Sequence, residues 1–394
     1  MSTSRAVLAN ATRTPFGKNR GALSGIRPDD LFAATLRTLV DRTPGLDPAT
    51  IEDVIAGDSN GAGEDNRNVA RMGVLLAGLP HTIPGVTLNR LCGSGAEAIV
   101  QASRAIRSGD AEIMIAGGVE SMSRAPWIVE RSQEKGAPAL SPDSVAHQSV
   151  VGWRLINPKM HPDWILSLGQ SSERIAERLG IGRAEQDEWS VRSHLRAHGA
   201  WEAGLHDHVF EINGLTRDES IRPGATVESL GALESAFTPG GSGTAGNSSP
   251  INDGAAASLI TSERAAISLG LAPMAYILSS AVTALAPDEF TLAPVPAIHR
   301  ALARAGKSIR DVKVWEINEA FASMVLTVLH EIPEIDRDLV NPHGGAIAIG
   351  HPVGASANRV VMELARELRR RGGGIGVAAA CIGVGLGIAI VLEV

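Results

Sequence analysis

Little in this chain is aromatic, basic or sulfur-bearing. Of 394 residues, 3% are aromatic and two are cysteine, Cys92 and Cys381. Two cysteines in so long a chain exclude a disulfide framework and suit a reducing cytoplasm. The net charge is −7, and no basic block interleaves with aromatics, so the electrostatic footprint of a nucleic-acid binder is missing. The first apolar run, Ala6 to Ala9, is too short for the core of a signal peptide. Gly372 to Leu392 carries no charge and is long enough to span a bilayer, yet glycines interrupt it at 372, 373, 374, 376, 383, 385 and 387. It reads instead as two buried strands, about Ile375 to Ala380 and Ile388 to Leu392, around a glycine turn. No membrane partner is expected. With 44% hydrophobic residues and 43 glycines, the chain can bury a large core in which helices and strands approach closely.

Apolar runs alternating with helical periodicity predict an α/β protein with a parallel or mixed sheet. Strands are expected at Ala6–Ala9, Ile51–Ala56, Val86–Asn89 and Ala111–Ala116, the last closed by Gly117-Gly118. Helices are expected at Leu31–Val40, capped by Asp29 or Asp30, at Asn68–Ala77, and directly after Cys92. Residues 122–250 differ. They hold five of the six tryptophans (Trp127, Trp153, Trp164, Trp189, Trp201), many prolines and helices at Gln170–Leu179 and Arg183–Glu202, and almost no buried-strand pattern. This segment reads as an insertion of the kind that carries binding surfaces. The α/β pattern resumes at Asp253–Thr261. From Met274 a second half follows, with a helix at Val295–Ala305, a strand at Val312–Ile317, helices at Ala320–His330 and Ser356–Arg371, and the two last strands. The halves look like copies. Each has a strand ending in a polar turn (Asp58–Asn60; Asn318) and, at a similar distance beyond, a chemically loaded residue opening a helix (Cys92; His351).

Cys92 stands in Asn89-Arg90-Leu91-Cys92-Gly93-Ser94-Gly95, a small-residue turn leading into a helix. Unpaired N–H groups and the dipole at a helix start stabilise an anion, so a thiol there can become a thiolate near neutral pH. The bland alternative is a buried cysteine packed as a small hydrophobe. Against it, the other cysteine also falls in a glycine turn, Cys381-Ile382-Gly383-Val384-Gly385. A thiol nucleophile, a histidine and a second thiol are the parts of a thioester-forming enzyme, and glycine turns offer oxyanion donors.

With these turns, Asn318-Glu319-Ala320-Phe321-Ala322 and Gly344-Gly345-Ala346-Ile347-Ala348-Ile349-Gly350-His351-Pro352 complete a set in fixed order. Added to Ala11-Thr12-Arg13-Thr14-Pro15-Phe16-Gly17, Gly117-Gly118-Val119-Glu120-Ser121-Met122-Ser123 and Thr244-Ala245-Gly246-Asn247-Ser248-Ser249, it resembles the thiolase family nearly end to end. The resemblance implies two βαβαβαββ halves in a five-layer αβαβα stack: residues 1–121 completed by 251–272, and 273–394, with 122–250 as an inserted CoA-binding loop domain. It implies cleavage of a 3-ketoacyl-CoA by CoA through a Cys92 acyl-enzyme, with ping-pong kinetics. His351 would take the proton of Cys92, Cys381 would protonate the acetyl-CoA enolate, and Asn318 would position a water at the enolate oxygen. The N–H groups of Cys92 and Gly383 would hold the acyl oxyanion. Ser249, Ala245, Phe237 and Phe321 would line the pantetheine channel, with Arg222 at the nucleotide end. CoA is then a co-substrate, no cofactor is tightly bound, and a homodimer or homotetramer in the cytoplasm is expected.

Departures from the family pattern are Leu168-Gly169-Gln170-Ser171 for Met-Gly-x-Thr, Ser167 at the place of a histidine, Leu386 within Gly385-Leu386-Gly387, and Val384 for glycine. Valine there, Val119 to Pro126, and Gly152-Trp153-Arg154 with Asn157-Pro158 resemble thiolases acting on β-ketoadipyl-CoA. Rival readings are a biosynthetic acetoacetyl-CoA-forming thiolase, a ketosynthase of the same fold, and a non-catalytic acyl-CoA-binding subunit. The intact Cys92, His351 and Cys381 weigh against the last. His206-Asp207-His208 reads as an exposed turn, because no third metal ligand stands near it in sequence, and no metal is expected. His343, in the turn before His351, is a secondary candidate for substrate contact. Glu319 is expected to orient loops by hydrogen bonding.

Overall fold

The computed structural model describes residues 4–132, 134–136, 140 and 144–394, so a few positions of the anticipated insertion lie outside the described residues. Nine principal strands form the sheet framework: β1 (Ala6–Arg13), β2 (Asp53–Gly57), β3 (Gly85–Leu88), β4 (Ile113–Ser121), β5 (Asn252–Ser262), β6 (Ala275–Ala284), β7 (Val312–Ile317), β8 (Ile375–Ile382) and β9 (Leu386–Glu393). They lie in the order β7-β8-β9-β6-β1-β5-β4-β2-β3. The join between β1 and β6 is a two-residue antiparallel pairing, Val7↔Tyr276 and Leu8↔Ala275.

About that join the two halves repeat. In the first, β1 and β5 and then β5 and β4 pair antiparallel, and β4 and β2 pair parallel. In the second, β6, β9, β8 and β7 take the same places with the same senses. Even β3, parallel to β2, has a remnant counterpart in the parallel bridge Trp315↔Val340. The expected duplication is present.

Helices supply the other layers. α1 (Pro28–Asp41) and α2 (Val69–Leu76) cover the outer face of the first half. Further along, α6 (Pro294–Arg304) and α7 (Ala322–Glu331) cover the outer face of the second. Between the two halves of the sheet lie α3 (Ser94–Ser108) and α8 (Val353–Arg370), whose apolar faces share one core with β1, β6, β8 and β9. The five-layer arrangement follows. The segment between β4 and β5 holds α4 (Leu168–Leu179) and α5 (Arg183–Glu202), and its only strands among the described residues are the two-residue pieces Ile128–Val129 and Ala146–His147.

Two local expectations change. α1 starts three residues early, because Pro28 fits the first helical turn; its N-cap is Arg27, and Asp29 holds Arg27 rather than capping. β4 does not stop at Gly117-Gly118 but runs on to Ser121. The glycines serve close approach: a Cβ on Gly117 would lie 2.8 Å from the Phe32 ring, and one on Gly118 would strike the Gly354 carbonyl.

Candidate active site

Cys92 lies in a 3₁₀ turn, Leu91–Gly93, that passes directly into α3. The turn is pinned from three sides: Asn89 Oδ1 accepts from the Leu91 N–H at 2.8 Å, Ser94 Oγ accepts from the Arg90 N–H at 2.8 Å, and the same hydroxyl donates to the Leu91 carbonyl at 2.7 Å. Leu91 adopts φ of +46°, a left-handed strain these bonds must hold. Gly93 packs against Ile382, and a Cβ on Gly95 would lie 2.7 Å from the Asn358 nitrogen of α8. The starts of the two central helices therefore touch, each delivering a motif from its own half.

The Cys92 sulfur is buried. Burial pushes its pKa up to about 11, against the N–H groups of Gly383 and of Cys92 itself, which are directed at the sulfur and lower it. The thiolate that a helix start allows is therefore not the resting form: loss of hydration outweighs the helix start. A Cys92 that reacts needs a base.

The histidine singled out in the sequence, His351, is buried and held in one orientation. Its N–H donates to Asn252 Oδ1 at 2.9 Å, and its Nδ1 lies 2.6 Å from Ser356 Oγ. That hydroxyl spends its proton on the Pro352 carbonyl at 2.8 Å, so Nδ1 carries the imidazole proton and Nε2 keeps its lone pair. Among the described residues Nε2 has no hydrogen-bond partner. Burial, helped by Arg359, lowers the histidine to about 4, so it is neutral at pH 7.

Cys381 lies near the end of β8, opposite Gly387 of β9. Burial, and then the charge of Cys92, push its thiol well above the usual range, so the two sulfurs lie within each other's field. Asn318 follows β7 with its N–H on the Ala379 carbonyl at 2.9 Å. Its side-chain amide is fully buried, and neither end has a hydrogen-bond partner among the described residues. Such a group is suited to holding a water or a substrate oxygen.

Three supporting residues carry no local signal strong enough to single them out. Asn252 and Ser356 fix His351. Glu120, within a motif but without an evident role, accepts from the Ser59 N–H at 3.1 Å, the Ser59 hydroxyl at 2.6 Å, the Asn60 N–H at 3.2 Å and the Gly354 N–H at 2.9 Å. It thereby ties the polar turn after β2 to the start of α8. Burial raises Glu120 to about 7 and, together with the charge of Glu120, its neighbour Asp58 to about 9. Glu319 organises loops as expected, accepting from Trp189 Nε1 at 3.0 Å, Ser193 Oγ at 2.6 Å and Asn341 Nδ2 at 2.9 Å.

On the insertion side, Phe237 and Phe321 meet edge to face at 5.7 Å between centroids, and the Ser249 N–H donates to the Ala320 carbonyl at 3.0 Å. Gly169 leaves room for the Phe237 ring, which fills the space of its missing Cβ. A surface cleft of about 660 Å³ runs along residues 233–240, Phe237 among them. Ala245 and Arg222 are exposed, and the Arg222 N–H donates to His194 Nδ1 at 3.2 Å. His343 turns to Glu367, with Nε2 2.7 Å from Oε2, and so braces α8. The reading of His206-Asp207-His208 as an exposed turn is wrong for both imidazoles: they are buried, and only Asp207 is exposed, because the loop after α5 packs onto α8 beside Glu363.

Comparison with known proteins places this geometry. Residues 6–264 match the family "Thiolase, N-terminal domain", and residues 271–394 match "Thiolase, C-terminal domain". The chain is 46% identical to a "Beta-ketoadipyl-CoA thiolase" of Escherichia coli, covering 98% of this chain and 99% of that one. It is 43% identical to a protein of the same description from Pseudomonas putida, with 98% of each covered. Among solved structures, human mitochondrial 3-ketoacyl-CoA thiolase in complex with CoA superposes with a TM-score of 0.91 at 35% identity, covering 99% of this chain and 98% of that one. The Bacillus anthracis acetyl-CoA acetyltransferase gives 0.90 at 34% identity, with 99% of each covered.

Proposed function

Since the chain belongs to the thiolase family, an acyltransferase family that uses CoA to cleave 3-ketoacyl-CoA, we propose that it cleaves a dicarboxylic substrate, 3-oxoadipyl-CoA, to acetyl-CoA and succinyl-CoA. The observation that carries the chemistry is the convergence at one sulfur. The Gly383 N–H and the Cys381 thiol, both from the second half, bear on Cys92 from the first, and His351 is neutral with its Nε2 unpartnered among the described residues.

The steps follow from these groups. The Cys92 sulfur attacks the 3-keto carbon while Nε2 of His351 takes its proton. The C2–C3 bond breaks, leaving the acyl group as a thioester on Cys92 and the electron pair on the enolate of acetyl-CoA. Asn318 holds the water that, with His351, stabilises the enolate oxygen. Cys381 delivers its proton to C2. Free CoA then attacks the thioester, whose oxygen lies against the N–H groups of Cys92 and Gly383; the CoA thiol gives its proton to the Cys381 thiolate, and His351 returns the proton it took to the departing Cys92 sulfur. An oxyanion donor of this kind contributes on the order of 10²–10³ in rate. The segment between β4 and β5 holds CoA, with Phe237, Phe321, Ser249 and Ala245 along the pantetheine and Arg222 toward the phosphates.

The dicarboxylic assignment rests on the full-length relatives and on Arg154. Its guanidinium reaches Asn60 Oδ1 at 3.4 Å and forms no ion pair among the described residues. Asn60 belongs to the turn that Glu120 ties to the start of α8, and the reading assigns Arg154, held at that turn, to the distal carboxylate. The protein acts in the cytoplasm as a homo-oligomer; the edge strand β3, with Val86 exposed, offers backbone groups to a second copy. No described helix is long and apolar enough to cross a membrane.

A thiolysis panel tests the substrate. 3-Oxoadipyl-CoA should exceed acetoacetyl-CoA and 3-oxohexanoyl-CoA in kcat/KM by at least about tenfold, the scale of one charge-assisted hydrogen bond. Arg154→Ala should remove that preference while leaving acetoacetyl-CoA turnover unchanged. Equal activity on all three would refute the dicarboxylic reading but leave the thiolase chemistry intact.

A further inference from the structure

Away from the acyl-transfer groups, the loop after α5 drives two imidazoles into the interior against α8. We propose that His206, His208 and Glu363 form a binding site for a divalent transition-metal ion of the zinc class, which staples the insertion to the central helix behind His351. The three side chains each offer one ligand atom, all within 4.8 Å of one another. His208 Nε2 lies 2.9 Å from Glu363 Oε1, and His206 Nδ1 lies 3.6 Å from the same oxygen. The side chains are 1%, 1% and 3% exposed, so water does not satisfy them from outside.

What points to a ligand is the set of atoms left over. Among the described residues both nitrogens of His206, Nδ1 of His208 and Oε2 of Glu363 are buried without a hydrogen-bond partner. Each such group costs about 1–3 kcal/mol when orphaned. The nearby Arg13 does not relieve them. It is closed by a two-pronged pair with Asp218 at 2.7 and 2.9 Å, and its Nε stays 3.7 Å from Glu363 Oε1. Asp218 offsets the charge of Arg13, which leaves Glu363 as the anionic donor of the site, with Arg366 a further cation whose field reaches His208. Trp201 walls it, with its ring 4.5 Å from that of His206 and its indole N–H on Asp218 Oδ2 at 3.2 Å.

Two imidazoles and a carboxylate suit zinc, cobalt or nickel, whereas magnesium and calcium prefer oxygen ligands throughout. Bonds of about 2.0–2.2 Å in a tetrahedron set donors about 3.4 Å apart, within the range the three atoms already span, so the side chains adjust around the ion on binding. A water completes the tetrahedron. The ion would join the loop of the insertion to a residue on the buried face of the helix that begins just after His351.

The test uses the full chain, stripped with a chelator and titrated with Zn²⁺ by calorimetry, with bound metal counted by elemental analysis. One ion per chain, at micromolar affinity or tighter, is expected. At a hundredfold excess over Kd, the ion should raise Tm by roughly 3–5 °C. Co²⁺ in its place should give the visible bands of a tetrahedral nitrogen–oxygen site with no thiolate charge-transfer band. Among the described residues His206 makes no hydrogen bond within 3.5 Å and only the 3.6 Å contact with Glu363, so His206→Gln should fold, retain thiolysis and bind Zn²⁺ at least tenfold more weakly; Glu363→Gln should do the same for affinity. Absence of a stoichiometric ion, unchanged affinity in His206→Gln, or a cobalt–thiolate band marking Cys92 or Cys381 as the site would each overturn the proposal.

Discussion

Burial holds the Cys92 thiol near 11 and the His351 imidazole near 4, so each rests neutral, not as thiolate and imidazolium. The sign of the consequence is fixed. Because the Cys92 pKa is raised, its thiolate fraction climbs about tenfold per pH unit until pH approaches 11. Inactivation of the free enzyme by iodoacetamide should therefore keep rising from pH 7 to 10; a plateau by pH 7 would contradict the neutral pair. Val384 offers a second test at this scale. It is a β-branched residue at φ of +60°, in the turn that presents Gly383 to Cys92. Val384→Gly should relieve about 1 kcal/mol of left-handed strain, partly offset by the greater freedom of glycine in the unfolded chain. Equilibrium unfolding should show stability equal to or above wild type. Cys92, His351, Cys381 and Asn318 stand out as candidates in the sequence because each sits inside a short motif with its own chemical logic. The resting state of Cys92 was not legible there, because burial comes from Ile382 and the opposite half. Nor were Asn252 and Ser356, which matter only through the ring they hold. His206 and His208 were misread for the same reason: their third neighbour, Glu363, is far away in sequence.

At the scale of elements, the site depends on how closely α3 and α8 begin. A Cβ on Gly354 would collide with the Val119 carbonyl and lie 2.7 Å from the Gly57 carbonyl. Gly354→Ala should thus cost about 1–3 kcal/mol by overpacking. It should also lower kcat, because the helix start carries His351 and the N–H that Glu120 accepts. Denaturant titration together with kcat checks both, and a variant with wild-type stability and kcat would refute the close-approach account. Most strands and helices could be read from apolar period. The reading failed where glycine had two meanings. Gly117-Gly118 looked like a strand end, but the sheet runs through it because helices press on both faces.

For the molecule as a whole, duplication explains why one site needs both halves. The repeated order of β1, β5, β4, β2 and β6, β9, β8, β7 brings two equivalent helix starts together, and each half supplies what the other lacks. The repeat was visible as similar spacing of Cys92 and His351 after their polar turns, whereas the reduction of the second β3 to the Trp315↔Val340 bridge was not, since one bridge leaves no periodicity. The most direct measurement is the site of acylation. Stoichiometric 3-oxoadipyl-CoA is mixed with enzyme in the absence of CoA, quenched, digested and read by mass spectrometry. The expected result is one succinyl group on Cys92, accompanied by acetyl-CoA and discharged on adding CoA. In Cys381→Ser, Cys92 should still be acylated but acetyl-CoA release should slow. Acetyl-CoA released with Cys92 unmodified, or an acyl group on any other residue, would contradict the account.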